Sequence, residues 1–235
     1  MSVQTARDYF SFRGAYAPPV VASRQGALCS KITGAGPPTV KSVSGGSMDL
    51  ALTATSEVQV ATLYMGDILP YDIDDLIRIT IRAKLTAALA AAVSGVFGLA
   101  TAQNDALDSL ANFALFKFDG SNAIVCETDD GGSFDLDDKP TGLSLVATYR
   151  RFVIDFATGL KAQSPPSLSK GGTADVRFCM SNDRGALTRV AGGTGFDLSA
   201  FTSNLQLFAQ IQKTTGTAVG TLSLLDAEIE YRLPA

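Results

Sequence analysis

The sequence predicts an all-β protein: an antiparallel two-sheet β-sandwich with one or two short helices and an extended N-terminal arm. Three observations predict it. From residue 47 onward, apolar and polar residues alternate with period two in run after run, as strands with one buried and one wet face do. Clusters of Gly, Asp, Asn and Ser separate the runs, and these residues carry turn chemistry. Helical periodicity is scarce by comparison. The length of 235 residues suits one large β domain or two small ones, and 46% hydrophobic with 18% charged residues marks a chain that folds.

Residues 1–46 read differently from the rest. They hold five of the 19 cations (Arg7, Arg13, Arg24, Lys31, Lys41) and one of the 23 anions (Asp8), a net +4 against −8 for residues 47–235. Pro18, Pro19, Pro37 and Pro38 and the lack of a sustained period point to an arm, with Arg7, Tyr9, Phe10, Phe12, Arg13 and Arg24 as its contact residues. The alternative is that parts of it form edge strands of the body, the domain of residues 47–235. A basic arm on an acidic body suits contact between subunits. Scattered cations on an acidic chain do not make a nucleic-acid footprint.

The body is a succession of strands. Met48, Leu50, Leu52 and Ala54 alternate with Asp49, Ala51 and Thr53, and Ile77, Ile79, Ile81, Ala83 and Leu85 alternate with Arg78, Thr80, Arg82 and Lys84. Further strands are expected at residues 58–64, 93–100, 113–118, 123–127, 144–156, 175–180, 205–212 and 221–233. The last changes phase, with Leu222 and Leu224 on one parity and Ala227, Ile229 and Tyr231 on the other, so a β-bulge is expected near Leu225. Asp119-Gly120-Ser121-Asn122 reads as a hairpin turn. Asn104 to Leu110 makes a short helical candidate with Asn104 as N-cap, and Ala87 to Ala92 a weaker one. About ten strands with turn punctuation suggest a sandwich of jelly-roll or lectin-like type.

Several function classes are closed by composition. The chain has no His, which removes Ser-His-Asp and Cys-His catalysis and His-containing zinc sites. Cys29, Cys126 and Cys179 are odd in number and widely spaced, so no disulfide framework is expected. No signal peptide is expected from the first residues, and the longest apolar run, Leu85 to Val93, is too short to span a bilayer. Gly192-Gly193-Thr194-Gly195 lacks the phosphate-loop pattern, Tyr149-Arg150-Arg151-Phe152 is too small for a nucleic-acid patch, and no cofactor motif occurs.

Two acidic clusters remain. Asp226, Glu228 and Glu230 alternate along the final strand, and paired carboxylates on one strand face serve glycoside hydrolysis. The motif departs from the Glu-x-Asp-x-x-Glu pattern of lectin-like glucanases, and no Trp is present to stack a sugar. The competing reading pairs these groups with Arg78, Arg82 and Lys84 on another strand. Residues 127–138 hold six carboxylates in twelve positions. Asp129, Asp130, Asp135, Asp137 and Asp138 are calcium candidates by oxygen density, without the EF-hand spacing; a solvated acidic turn is the alternative.

A set of short pieces adds a resemblance. Phe97-Gly98-Leu99-Ala100, Gln103-Asn104-Asp105-Ala106, Phe116-Lys117-Phe118-Asp119-Gly120-Ser121, Val125-Cys126-Glu127-Thr128-Asp129-Asp130-Gly131, Phe152-Val153-Ile154-Asp155-Phe156 and Asp175-Val176-Arg177-Phe178, in this order, resemble virion structural proteins of tailed bacteriophages and prophages. The resemblance covers about residues 90–235. It implies a particle component built in a host cytoplasm: a head decoration (cement) protein that is not an enzyme, contacting the major capsid protein and copies of itself, as a homo-oligomer such as a trimer. The alternative it admits is a tail, fibre or receptor-binding module. A glycan would then sit on loops at residues 101–111, 128–142 and 181–202.

Overall fold

The structure, a computed structural model, describes residues 5–12, 28–43, 46–86, 89–132, 135–156, 173–182 and 185–233. Two antiparallel sheets form the sandwich. In the first, the order is β14 (Thr188–Arg189), β13 (Arg177–Asn182), β12 (Arg150–Asp155), β7 (Leu76–Leu85), β16 (Thr221–Arg232), β4 (Ser47–Ala51) and β3 (Thr39–Val43), with β1 (Thr5–Ser11) also on β16. In the second it is β11 (Asp135–Ser144), β10 (Ala123–Asp129), β9 (Phe113–Phe118), β8 (Val93–Ala100), β15 (Asn204–Lys213), β5 (Gln59–Tyr64) and β2 (Cys29–Thr33), with β6 (Tyr71–Asp72) on the start of β15. No helix among the described residues is long and apolar enough to cross a membrane.

Alternation decides which face turns inward. Ile79, Ile81, Ala83 and Leu85 of β7 are buried, and Arg78, Thr80, Arg82 and Lys84 point away. The facing sheet supplies Phe97, Leu99, Ala114, Phe116 and Phe118. Aromatic rings join the layers: Phe152 of the first sheet stands edge-on to Phe97 (4.7 Å between centroids) and Phe116 (5.1 Å) of the second. Such pairs add about 1 kcal/mol each beyond area burial. Phe178 extends the chain of rings to Phe116 at 5.0 Å and Phe196 at 4.7 Å.

The phase change in β16 is a bulge with a structural purpose. The register with β7 shifts between Leu224 and Asp226. At that point one edge of β16 changes partner: Thr221 to Leu224 pair β4, and Asp226 to Arg232 pair β1. Phe12 closes the gap by donating its backbone N–H to the Leu225 carbonyl at 3.3 Å. The extra residue keeps Leu222, Leu224, Ala227 and Ile229 all buried.

Residues 1–46 differ from the expected arm where they are described. β1, β2 and β3 all belong to the two sheets, so the boundary at 46/47 separates no unit among the described residues. The physical reason is brevity: five- and seven-residue edge strands with polar cover show too little period to read. Phe12 is in the core and Phe10 packs against it, while Arg7 and Tyr9 lie on the outer face. Arg13 and Arg24 lie outside the described residues.

Other expectations shift locally. Residues 144–156 are not one strand: β11 ends at Ser144, and the chain crosses to the first sheet before β12 begins, with Leu145 buried in passing. The expected strand at residues 175–180 opens instead with a 3-10 turn, Thr173–Asp175. The helical candidate at residues 104–110 is a single 3-10 turn, Leu107–Ser109. Asn104 ties both of its ends, accepting from the Ala106 N–H (3.0 Å) and donating to the Ser109 carbonyl (3.2 Å). In the alanine run, residues 87 and 88 lie outside the described residues. Ala91 is pressed on Gly120 of the hairpin turn, where a Cβ would meet Ala91 Cα at 2.3 Å. Small side chains there permit close packing, not a helix.

Candidate functional site

The acidic strand faces outward from the first sheet, and its carboxylates are neutralised. Cross-strand registers align Arg177, Asp155, Arg78, Glu230 and Arg7 in one row over β13, β12, β7, β16 and β1. Signs alternate along the row, the favourable order for directly opposed residues. Glu230 lies 2.7 Å from Arg78 Nε and 3.2 Å from Arg7 Nη2; Glu228 lies 3.3 Å from Arg7. Arg82 binds Asp226 through both Nε (2.8 Å) and Nη2, and Tyr9 donates its hydroxyl to the same carboxylate at 3.0 Å. Lys84 takes no part in these pairs and stands over the Tyr149 ring at 4.6 Å. Two of the three expected cations therefore pair, and Arg7, Tyr9, Asp155 and Arg177 complete a set that sequence periodicity alone did not assemble.

The second acidic cluster is split between a hairpin and a cleft. Asp129 accepts the Gly131 N–H at 2.6 Å and the Asn112 N–H at 3.4 Å, and Asp130 accepts the Gly132 N–H at 2.7 Å. The bonds to Gly131 and Gly132 are Asx-turn bonds that shape the corner between β10 and β11, and the bond from Asn112 ties that corner to the start of β9. The run expected as a turn thus becomes mostly strand, with Pro140 tolerated because β11 is an edge. The Asp135 side chain lies outside the described residues. Among the described residues, no three His, Cys, Asp or Glu side chains gather where they would hold a metal ion; of the calcium candidates, Asp129, Asp137 and Asp138 line one cleft, and Asp130 bonds within the hairpin.

The outer face of the second sheet carries the cleft. Most of that face is roofed by the chain's own loop, residues 101–112. Lys31 reaches Gln103 (2.8 Å) and Asp105 (2.9 Å), Thr33 donates to Asp105 (2.9 Å), and Gln210 donates to the Asp105 carbonyl (3.2 Å). Burial opposes ionisation of Asp105, but the bonds from Lys31, Gln103 and Thr33 outweigh it and hold the carboxyl below its usual range. Leu107 and Leu110 pack on Val96, Leu115 and Phe208 beneath the loop. Gln206 is fully buried there, donating to Asp67 (2.7 Å) and the Thr101 carbonyl. Polar residues at period two in β15 suggest a wet face; the loop makes it a dry, fully bonded one.

Between this loop and β9, β10 and β11 a cleft of about 270 Å³ remains. Its floor is Val96, Phe113 and Leu115, and its polar wall is Lys117 and Glu127 with Asp108, Asp129, Asp137 and Asp138. Lys117 Nζ donates to Glu127 at 2.7 Å and lies 3.3 Å from Asp138. Burial pushes the Glu127 carboxyl up to about 7, against the pull of Lys117. Glu127 in turn holds Asp138 below the usual carboxylate range, and its charge and that of Asp138 raise Lys117 despite burial. A carboxyl that keeps its proton near neutral pH can donate it, so this is the one described place with acid–base capacity. Glu127 and Asp129 share a strand face, with Cα atoms roughly 7 Å apart.

The thiols add no chemistry. Burial pushes the Cys29 thiol up and that of Cys126 well above the usual thiol range.

No protein-family model matches this chain, and no curated protein matches it in sequence. Solved structures do match in fold. A protein of unknown function from Shewanella oneidensis MR-1 superposes with a TM-score of 0.59 at 12% identity, over 99% of this chain and 90% of that one. Peanut lectin gives 0.58 at 10% identity, over 99% and 100%. A Bacillus licheniformis β-glucanase gives 0.56 at 11% identity, over 97% and 98%. The fold is therefore the lectin-like sandwich. At such identities the likeness extends to architecture alone.

Proposed function

We propose that this chain is a structural subunit of a tailed-phage particle, of the head decoration type, that binds the major capsid protein and copies of itself and performs no catalysis. The observation that carries the reading is the neutralised outer face of the first sheet. Carboxylates that would serve a hydrolase are tied instead into ion pairs across three strands, β1, β7 and β16, with the N-terminal strand among them. A charge-paired sheet face of this kind suits subunit contact, which needs area and complementarity, not reactive groups. The sequence resemblance to virion proteins and the absence of His support the same reading. The test is uptake: purified chain is added to phage heads assembled without it and the heads are pelleted. Co-sedimentation that saturates is the expected result; a chain left wholly in the supernatant contradicts the proposal.

The cleft favours a second reading, a glycan-binding module of such a particle. It combines an apolar floor with convergent polar groups, as small-ligand sites do, and one structure of the same fold is a lectin. Calorimetric titration with a panel of oligosaccharides would register heat that Phe113→Ala and Lys117→Ala remove. No heat with any sugar dismisses this reading. Hydrolysis of a β-glucan that Glu127→Gln abolishes would replace both readings with an enzyme.

A further inference from the structure

We propose that β1 is an exchangeable strand: in the assembled protein it pairs with β16 of a second copy of this chain, in the register it shows here with its own. The inference rests on the assembly reading above and specifies its contact.

β1 pairs as a strand with one element, β16. All seven of its residues pair β16, from Thr5 with Arg232 to Ser11 with Asp226. Its outer row is held by groups that sit at the surface: the Arg7 side chain is 59% exposed, and Tyr9 is 57% exposed. On its inner row Phe10 is half-buried, and the anchors are Phe12, which is in the core, and Asp8, which accepts the Tyr71 hydroxyl at 2.8 Å. Burial and Asp8 together push that phenol well above its usual range. Each of these contacts is a contact to a fixed surface of the body. A second copy presents the identical surface, so exchange conserves every one of them.

The edge that receives β1 is specific. β4 covers β16 only as far as Leu224. Beyond the bulge, β16 offers open backbone groups flanked by Asp226, Glu228 and Glu230, a strand-sized acceptor that selects a partner with Arg7 and Tyr9 at alternate positions. Strand addition of this kind takes affinity from the main chain and specificity from alternate side chains. The residues of the donor and acceptor also carry opposite charge, which favours pairing between copies over pairing with an unrelated edge.

Reach decides whether exchange is geometrically open. Fifteen residues, 13–27, separate Phe12 from Leu28. Extended chain spans up to about 3.5 Å per residue, so the connection reaches roughly 50 Å. A globular domain of this length has a radius of gyration of about 18 Å. The connection is therefore long enough to cross an interface between neighbours.

The experiment uses two single variants of the full chain, Tyr9→Cys and Glu228→Cys, both also carrying Cys179→Ser. Residues 9 and 228 are register partners. Neither variant can form this bridge within one chain. The two are co-expressed, purified together and oxidised. Exchange predicts a shift from the single-chain band to a covalent two-chain band on a non-reducing gel. The double variant Tyr9→Cys/Glu228→Cys is the control for bonding in cis, and Arg7→Cys with Glu230→Cys repeats the test at the next pair of partners. Single-chain bands in both mixtures, with bridges formed inside the double variants, overturn the proposal. If light scattering then still shows an oligomer, only the exchange fails; a monomer removes the assembly reading as well.

Discussion

Lys213 shows how a polar residue can hold a β-sandwich together. Its side chain is fully buried at the end of β15, and its Nζ donates to the carbonyls of Thr53 (2.6 Å), Thr55 (2.6 Å) and Ala218 (3.1 Å). It thereby pins two loops to one strand. Replacing it by Met removes a donor from all three carbonyls, of which Thr55 keeps the Glu57 N–H (2.9 Å), and Lys213→Met should cost about 3 kcal/mol, read as a lower urea midpoint at unchanged slope. Glu127 makes the opposite contribution. Its folded carboxyl titrates at about 7 against 4.5 for the free group, so the folded state keeps a proton that the unfolded chain releases. Stability is greater below pH 4.5 on this account and falls as pH rises to about 7, by roughly 1–3 kcal/mol. Glu127→Gln should flatten that fall in melts run from pH 5 to pH 8. A variant with the wild-type slope would show that Lys117 keeps Glu127 ionised throughout.

Elements were legible where period was long. β7, with ten alternating residues, and β16, with its change of phase, could be read to within a residue or two, because one face of each must match the core. Inserting one residue between Ala227 and Glu228 should therefore be severe. It turns Glu228 and Glu230 toward the buried face and Ile229 outward; loss of the folded fraction in circular dichroism is the expected outcome. The edge strands were not legible. β11 carries Asp, Lys, Pro and Gly, as exposed edges do to avoid pairing, and β1 to β3 are too short for a period to emerge. The cleft was half legible. Glu127 stood out by charge density, but Lys117, Phe113 and Leu115 join it only through cross-strand register with β10, which local sequence does not encode. The roof over the second sheet depends on Asp105 meeting Lys31 and Thr33, 72 or more positions away along the chain. Asp105→Ala should loosen that loop, and amide exchange at residues 103–110 should accelerate while the strands beneath stay protected.

At the scale of the molecule, the charge distribution organises the account. An N-terminal strand bearing Arg7 and Tyr9 closes an acidic strand that would otherwise be an open edge. A chain arranged in this way invests its polar residues in fixed cross-strand pairs, the property a particle subunit needs to keep one shape under load. The measurement that tests this most directly is uptake onto phage heads assembled without the chain, followed by heating. The account predicts saturable binding and a higher temperature of head rupture than in untreated heads. Heads that take up none of the protein, and rupture at the same temperature with or without it, would contradict it.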